Sequence, residues 1–148
     1  MSLGFNAISS VPAKLGELKE LKRLLLDDNE LSTLPVELVC VYQLEELSLA
    51  KNRFESVPDV IFELRALKEL NISVNQLSEL PYKVEMLSQI KELDLSYNKL
   101  TNLPKEISRL VQMKSLSLES NPLIRLPEDL SNLTALEKVV LMLSLIHI

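Results

Sequence analysis

The feature that most constrains the fold is a repeat with a period of 23 residues. Asparagine recurs at this interval, at Asn6, Asn29, Asn52, Asn75, Asn98 and Asn121. Proline keeps the same step, at Pro12, Pro35, Pro58, Pro81, Pro104 and Pro127. Two residue types in one register indicate a repeated structural unit. Periods of about 20–50 residues are typical of solenoids, in which each unit stacks on its neighbours.

The clearest copy of the unit spans residues 90–112 and begins with a strand pattern. Leu93 and Leu95 alternate with polar residues, which is the period-2 signal of a short strand with one buried face. Asn98 follows where the chain leaves the strand. A buried amide there offers two donors and an acceptor to backbone groups that the strand ladder no longer pairs. We therefore expect the six asparagines to form a structural ladder that serves neighbouring units.

The second half of the unit predicts a return on the opposite side. Pro104 fixes its own φ, donates no backbone hydrogen bond and pushes Leu103 towards an extended conformation. Ile107 and Leu110 are three residues apart, so one face of a helical turn points inwards. One such unit buries too little apolar surface to offset its conformational entropy, so we expect neighbouring units to supply the missing burial.

The spacing of these residues follows the pattern L-x-x-L-x-L-x-x-N-x-L, and the chain resembles the leucine-rich-repeat family over almost its whole length. The Leu-Pro step and the constant period are similar to the Ras-group class of intracellular repeats. The resemblance implies an α/β solenoid, a right-handed curved superhelix with a parallel β-sheet on its concave face. Short helical turns and loops are expected on its convex face.

The repeats divide the chain into an array and a short tail. Residues 1–142 are interpreted as a partial first repeat, five full repeats from 21 to 135 and a partial last repeat. Residues 143–148, LSLIHI, follow neither the repeat nor the polar composition of a capping unit. The transposon end sequence CTG TCT CTT ATA CAC ATC, used to build sequencing libraries, encodes this hexapeptide. We interpret the tail as adapter read-through and the chain as a fragment with uncapped ends, which we expect to aggregate or fray alone.

The composition argues against several classes of protein. The net charge is -5 and the pI is about 5.0, so we expect no basic stripe to neutralise nucleic-acid phosphates. No apolar run approaches the roughly 18–20 residues that span a bilayer, and residues 1–10 lack a signal-peptide pattern. The single cysteine, Cys40, has no partner in the chain for a disulfide. These features favour a cytoplasmic location.

No catalytic, cofactor-binding or metal-ligating constellation is found in the sequence. The chain has two glycines and one histidine, His147, so neither a phosphate-binding glycine loop nor a histidine-based site is expected. Carboxylates are plentiful, but no pair is marked by opposed environments for acid–base chemistry. We therefore do not expect an enzyme.

In this architecture, alternate strand side chains point away from the core and line the concave face. The candidate partner-binding residues are Arg23, Asp27, Glu46, Ser48, Glu69, Asn71, Glu92, Asp94, Ser117 and Glu119, with Tyr97 at the rim. Their centre is acidic, which suits a basic, protruding surface of a partner, with Tyr97 as an anchor. The alternative is a solvated sheet face without a partner. Because like charges on adjacent strands repel, the column of Glu46, Glu69 and Glu92 favours a partner or a bound cation.

We therefore predict a protein–protein interaction module, part of an intracellular signalling scaffold that binds its partner on the concave face. The resemblance suggests a small GTPase or a phosphatase subunit as the partner. Two alternatives stay open, a recognition segment of a larger kinase, nucleotide-binding or cyclase protein, and a receptor ectodomain. A kinase or P-loop motif in flanking sequence would favour the first, whereas a signal peptide or paired-cysteine caps would favour the second.

Overall fold

The computed structural model describes residues 1–142 of the 148-residue chain. The interpretation of residues 143–148 as adapter read-through concerns a segment outside the described residues. The division of the array into a partial first repeat, five full repeats and a partial last repeat remains a proposal.

Within residues 1–142, six short strands form one open parallel sheet. They are β1 Arg23–Leu25, β2 Glu46–Ser48, β3 Glu69–Asn71, β4 Glu92–Asp94, β5 Ser115–Ser117 and β6 Lys138–Val140. Their order in the sheet is their order in the chain, and neighbouring strands pair at the repeat step, as Glu46 does with Glu69. Ahead of β1, Ser2 forms a parallel bridge to Leu25.

Six 3₁₀-helical turns in the same part of the chain connect the strands on the convex side. They are Ala13–Glu17, Val36–Cys40, Asp59–Glu63, Tyr82–Met86, Lys105–Arg109 and Glu128–Asn132. Each turn begins directly after a repeated proline, whose φ lies between -57° and -73°. In the fifth turn, the Ile107 N–H donates to the Pro104 carbonyl at 3.1 Å. The proline thus sets the backbone angle at which each turn starts.

One continuous apolar core lies between the sheet and the helical turns. The central strand positions of β1 to β5 are at most 4% exposed, at Leu24, Leu47, Leu70, Leu93 and Leu116, whereas Val139 of β6 is 41% exposed. From the helical turn, Ile107 is fully buried, and so is Leu110 directly after it. The predicted solenoid, with a parallel sheet on one face and helical turns on the other, is confirmed.

The residue before each repeated asparagine adopts a left-handed backbone conformation that the sequence pattern did not predict. These residues are Phe5, Asp28, Lys51, Val74, Tyr97 and Ser120, with φ between 53° and 58°. This region costs an L-residue roughly 1–2 kcal/mol, and a β-branched residue is an outlier there. Val74 is therefore held in a conformation that its own side chain disfavours.

The repeated asparagine side chains connect each unit to the one before it. Asn75 is 9% exposed, and its Nδ2 donates to the carbonyls of Ile72 and Ser73 in its own unit at 3.2 and 3.1 Å. The same nitrogen donates to the Leu49 carbonyl of the preceding unit at 3.0 Å, and its Oδ1 accepts from the Phe54 N–H at 3.0 Å. Asn29, Asn52, Asn98 and Asn121 make the same four kinds of bond. Each of these five asparagines therefore satisfies backbone groups in two units at once.

Replacing Asn75 by alanine is expected to lower the free energy of unfolding by roughly 3–5 kcal/mol, because it leaves the buried Phe54 N–H without an acceptor and removes three further bonds. Asn6→Ala is the matched control, since Asn6 is exposed and donates only to the nearby carbonyls of Leu3 and Gly4. The control should cost less than about 1 kcal/mol. Urea unfolding followed by circular dichroism measures both, and equal losses would contradict the bridging role.

Replacing Val74 by asparagine is expected to raise the free energy of unfolding by about 1 kcal/mol, because asparagine tolerates the left-handed region and Val74 is 42% exposed. Val111→Asn is the control, since Val111 is 54% exposed and does not have a positive φ. The control should stay within about 0.5 kcal/mol of the parent. A destabilised Val74→Asn protein in the same unfolding assay would show that the strain is not there.

Candidate binding groove on the concave face

The concave face is built from columns of side chains that cross the strands. The first column starts each strand and contains Arg23, Glu46, Glu69, Glu92, Ser115 and Lys138. The second column ends each strand and contains Leu25, Ser48, Asn71, Asp94, Ser117 and Val140. Because the sheet is parallel and in register, equivalent residues lie about 4.8 Å apart from strand to strand.

An open groove of about 380 Å³ runs along these two columns. It brings together eight of the partner-binding residues predicted from the sequence, Asp27, Glu46, Ser48, Glu69, Asn71, Glu92, Asp94 and Ser117. Its lining is completed by Leu25, Leu47, Leu70, Leu93, Ser115, Lys138 and Val140. Arg23, Tyr97 and Glu119, which were also predicted, lie outside the lining.

Polar side chains of the second column are engaged by the backbone of their own unit. The Asn71 side chain accepts a hydrogen bond from the Ser73 N–H at 2.9 Å. Asp94 accepts the equivalent bond from the Ser96 N–H at 2.9 Å, and the Ser96 hydroxyl donates to the same carboxylate at 2.6 Å. These bonds shape the turn that follows the strand. Asn71 and Asp94 therefore have a structural role besides any role in binding.

Side chains beyond the strand ends are also paired. The hydroxyl of Ser48, the last residue of β2, donates to the carboxylate of Asp27, which follows β1. The Tyr97 hydroxyl donates to Glu119 at 3.2 Å, and Tyr97 is 51% exposed. Tyr97 can still offer its ring to a partner, because its hydroxyl is satisfied from within the chain.

The first column contains two carboxylates without a cation. Glu46 forms an ion pair with Arg23 at 2.8 Å on the neighbouring strand. Within residues 1–142, Glu69 and Glu92 have no ion pair, although they pair in register on β3 and β4. Partial burial raises the pKa of Glu69 above its ordinary value, and the charges of Glu46 and Glu92 raise it further. The Arg23 guanidinium acts in the opposite direction. The centre of the groove therefore carries uncompensated negative charge.

Glu45, which directly precedes Glu46 of the first column, is a glutamate whose negative charge is compensated by a lysine. The Lys68 ammonium lies 2.7 Å from its carboxylate and donates a hydrogen bond to it. This bond, together with the charges of Lys68 and Lys22, holds the pKa of Glu45 below its ordinary value. Glu45, which precedes β2, and Glu69 of β3 thus lie in opposite electrostatic environments, and Glu69, at the groove centre, is in the unfavourable one.

Lys138 is a groove residue that the sequence analysis did not select. It starts β6, pairs in register with Ser115 and lines the groove, and its side chain is exposed. The signal was present, because adding the repeat step to Ser115 gives Lys138. The concave positions predicted from the sequence end after β5, so Lys138 of β6 is missing from them.

Other features of the surface do not join the groove. Cys40 is an exposed free thiol at the end of the second helical turn. Among residues 1–142, no group of three or more His, Cys, Asp or Glu side chains is placed to hold a metal ion. A search of the same residues for a helix of the length and apolarity needed to cross a membrane finds none.

Known proteins share the repeat and the fold. The sequence profile described as Leucine rich repeat matches residues 83–123. The structure is similar to a leucine-rich-repeat protein from Leptospira interrogans, at 34% identity and a TM-score of 0.75, over 91% of this chain and 40% of that one. It is also similar to an internalin from Listeria monocytogenes, at 24% identity and a TM-score of 0.77, over 90% of this chain and 38% of that one. No curated protein matches the chain.

The repeat, the matched profile and these similarities show that the described residues fold as a leucine-rich-repeat solenoid. The likeness to the internalin concerns the fold alone. Leucine-rich-repeat solenoids are typically non-enzymatic modules that bind proteins and use extended concave surfaces. The chain spans 40% and 38% of the two solved proteins, so they indicate the kind of module and leave its partner open.

Replacing Glu69 by glutamine is expected to stabilise the protein at pH 7, by on the order of 0.5 kcal/mol, because it removes like-charge contacts between strands. The raised pKa sets the sign of the pH dependence. Above the folded pKa the carboxylate is charged and the parent carries the full repulsion. As the pH falls through that pKa towards the ordinary value of 4.5, the folded parent takes up a proton and the variant's advantage disappears.

Thermal unfolding at several pH values between 4 and 8 measures this advantage. Glu55→Gln is the control, since Glu55 is an exposed glutamate outside the groove and has no ion pair within the described residues. The control should show no pH-dependent gain. An advantage of Glu69→Gln that grows as the pH falls would contradict the electrostatic account.

Proposed function

We propose that the chain is a protein-recognition module that binds a basic protein surface in its concave groove. The observation that carries this proposal is the pair of Glu69 and Glu92, adjacent carboxylates that line the groove and receive no cation from the described residues. Glu46 is already neutralised by Arg23, so the proposed contact is centred on β3 and β4.

A cation from a partner would change the energy of this pair. A lysine or arginine side chain placed between Glu69 and Glu92 adds two attractive contacts, which together outweigh the one repulsive contact. Hydrogen bonds between charged groups contribute about 1.5–3 kcal/mol each, and arginine can address two carboxylates with its planar fork. The charge of the groove would also steer a basic surface towards it during association.

The backbone supports this role because the groove is preformed. The asparagine bonds between units fix the spacing of the strands, so little conformational entropy is lost when a partner binds. The exposed Tyr97, three residues after the groove residue Asp94, would serve as an anchor for an apolar contact.

We further propose that the chain acts in the cytoplasm as part of a signalling scaffold and belongs to the Ras-group class. This rests on the Leu-Pro step, which precedes four of the six helical turns of residues 1–142 while Val-Pro precedes the other two, and on the single cysteine of the chain. The partner classes that fit the resemblance are a small GTPase and a phosphatase subunit.

The test uses charge reversal in the groove. The variant Glu69→Lys with Glu92→Lys is compared with Glu55→Lys with Glu79→Lys, which makes the same change of net charge at exposed positions outside the groove. Proteins captured by the parent are identified by mass spectrometry, and their affinities are measured by calorimetry at two salt concentrations.

We expect a captured partner to lose at least about tenfold in affinity with the groove variant, since two charge-assisted contacts are removed. The control variant should bind within about twofold of the parent, and the affinity of the parent should fall with salt. Equal affinities of the groove variant and the control for every captured protein would overturn the proposal.

A further inference from the structure

We infer that the groove is bipolar and fits an extended segment of a partner protein that presents a basic side chain and, about 10–14 Å further along, an acidic one. This inference rests on the proposed function, which supplies the basic side chain at Glu69 and Glu92. It adds a second charge of opposite sign and a direction across the sheet.

The second charge is Lys138. Its side chain is exposed and lines the same groove as Glu69 and Glu92. Within residues 1–142, Lys138 has no ion pair, whereas its chain neighbour Glu137 lies 3.8 Å from Lys114. An unpaired ammonium at one end of the groove thus faces the same ligand space as the unpaired carboxylates at its centre.

The charges of the groove lie too far apart to neutralise one another. Ser115 stands between Glu92 and Lys138 in the first column, so two strand spacings of about 4.8 Å separate them. The separation is therefore about 10 Å from Glu92 and about 14 Å from Glu69. An ion pair needs its charged atoms within about 4 Å, and salt screens exposed charges beyond about 8 Å under physiological conditions.

The other end of the column differs. Arg23 is also basic, but its guanidinium lies 2.8 Å from Glu46 and is used within the sheet. The first column therefore carries a neutralised pair on β1 and β2, negative charge on β3 and β4, and free positive charge on β6. This asymmetry gives a bound segment one favoured direction across the strands.

The spacing selects an extended ligand with a defined pattern. Side chains of an extended chain that are four residues apart point to the same face and lie about 13 Å apart. This matches the distance from the carboxylate pair to Lys138. The preferred segment therefore carries Lys or Arg at one position and Asp or Glu four positions away, with the acidic residue towards β6.

The test is a double-mutant cycle read by NMR titration of the isotope-labelled chain. The probe is the peptide acetyl-Thr-Lys-Val-Thr-Val-Glu-Thr-amide, whose β-branched residues favour an extended backbone. In the matched probe, glutamine replaces the glutamate. Both probes are titrated into the parent and into Lys138→Gln, and the backbone amides of β3 to β6 report binding.

We expect the glutamate probe to bind the parent about two- to fivefold more tightly than the glutamine probe, the range for one exposed ion pair. In Lys138→Gln the two probes should bind equally. An unchanged preference in that variant, or no preference in the parent, would overturn the bipolar groove.

A third protein separates this inference from the proposed function. In Glu69→Gln with Glu92→Gln, both probes should lose affinity together, because their common lysine loses its site. If that loss occurs while Lys138 shows no coupling to the glutamate, the bipolar groove fails and the proposed function stands. If neither probe shifts the groove amides at millimolar concentration, or the double variant binds as well as the parent, both proposals fail.

Discussion

The structure depends on the hydrogen bonds that each repeated asparagine makes to the unit before it. A strand of three residues supplies few backbone bonds, although the residue after it still pairs with the next unit, as the Leu49 N–H does with the Asn71 carbonyl. The asparagine Oδ1 accepts the N–H of the residue 21 positions earlier, such as Phe54 for Asn75, while Nδ2 donates to carbonyls of both units. Polar groups that would otherwise be buried without partners become the contact between layers.

The regular stacking that follows from this contact also creates the chemistry of the groove. Because every strand takes the same register, residues at one repeat position are held about 4.8 Å apart and cannot move away from one another. Where the sequence places opposite charges in a column, as at Arg23 and Glu46, the sheet gains an ion pair. Where it places Glu69 beside Glu92, the sheet holds a repulsion that an external cation can relieve.

Much of the fold could be predicted because it follows from periodicity. The burial of Leu93 and Leu95, the inward Ile107 and the helical turn after Pro104 could all be predicted from one unit, although β4 ends at Asp94, before Leu95. The left-handed conformations could not be predicted, since none of these residues is a glycine and the β-branched Val74 disfavours that conformation. Stacking overrides the local preference there. In the groove, the glutamate column was readable, but which carboxylates lack a cation depends on side-chain positions that no pattern states.

The most direct test of the central claim is amide hydrogen exchange, residue by residue, in the unmodified protein. The informative amides are those of Leu31, Phe54, Leu77 and Leu100, which donate to the asparagine of the following unit. If these bonds hold the layers together, the four amides exchange as slowly as the strand amides of Leu47 and Leu70, because all of them open only when stacked units separate. Exchange at the rate of an exposed loop amide such as that of Glu55 would contradict the account.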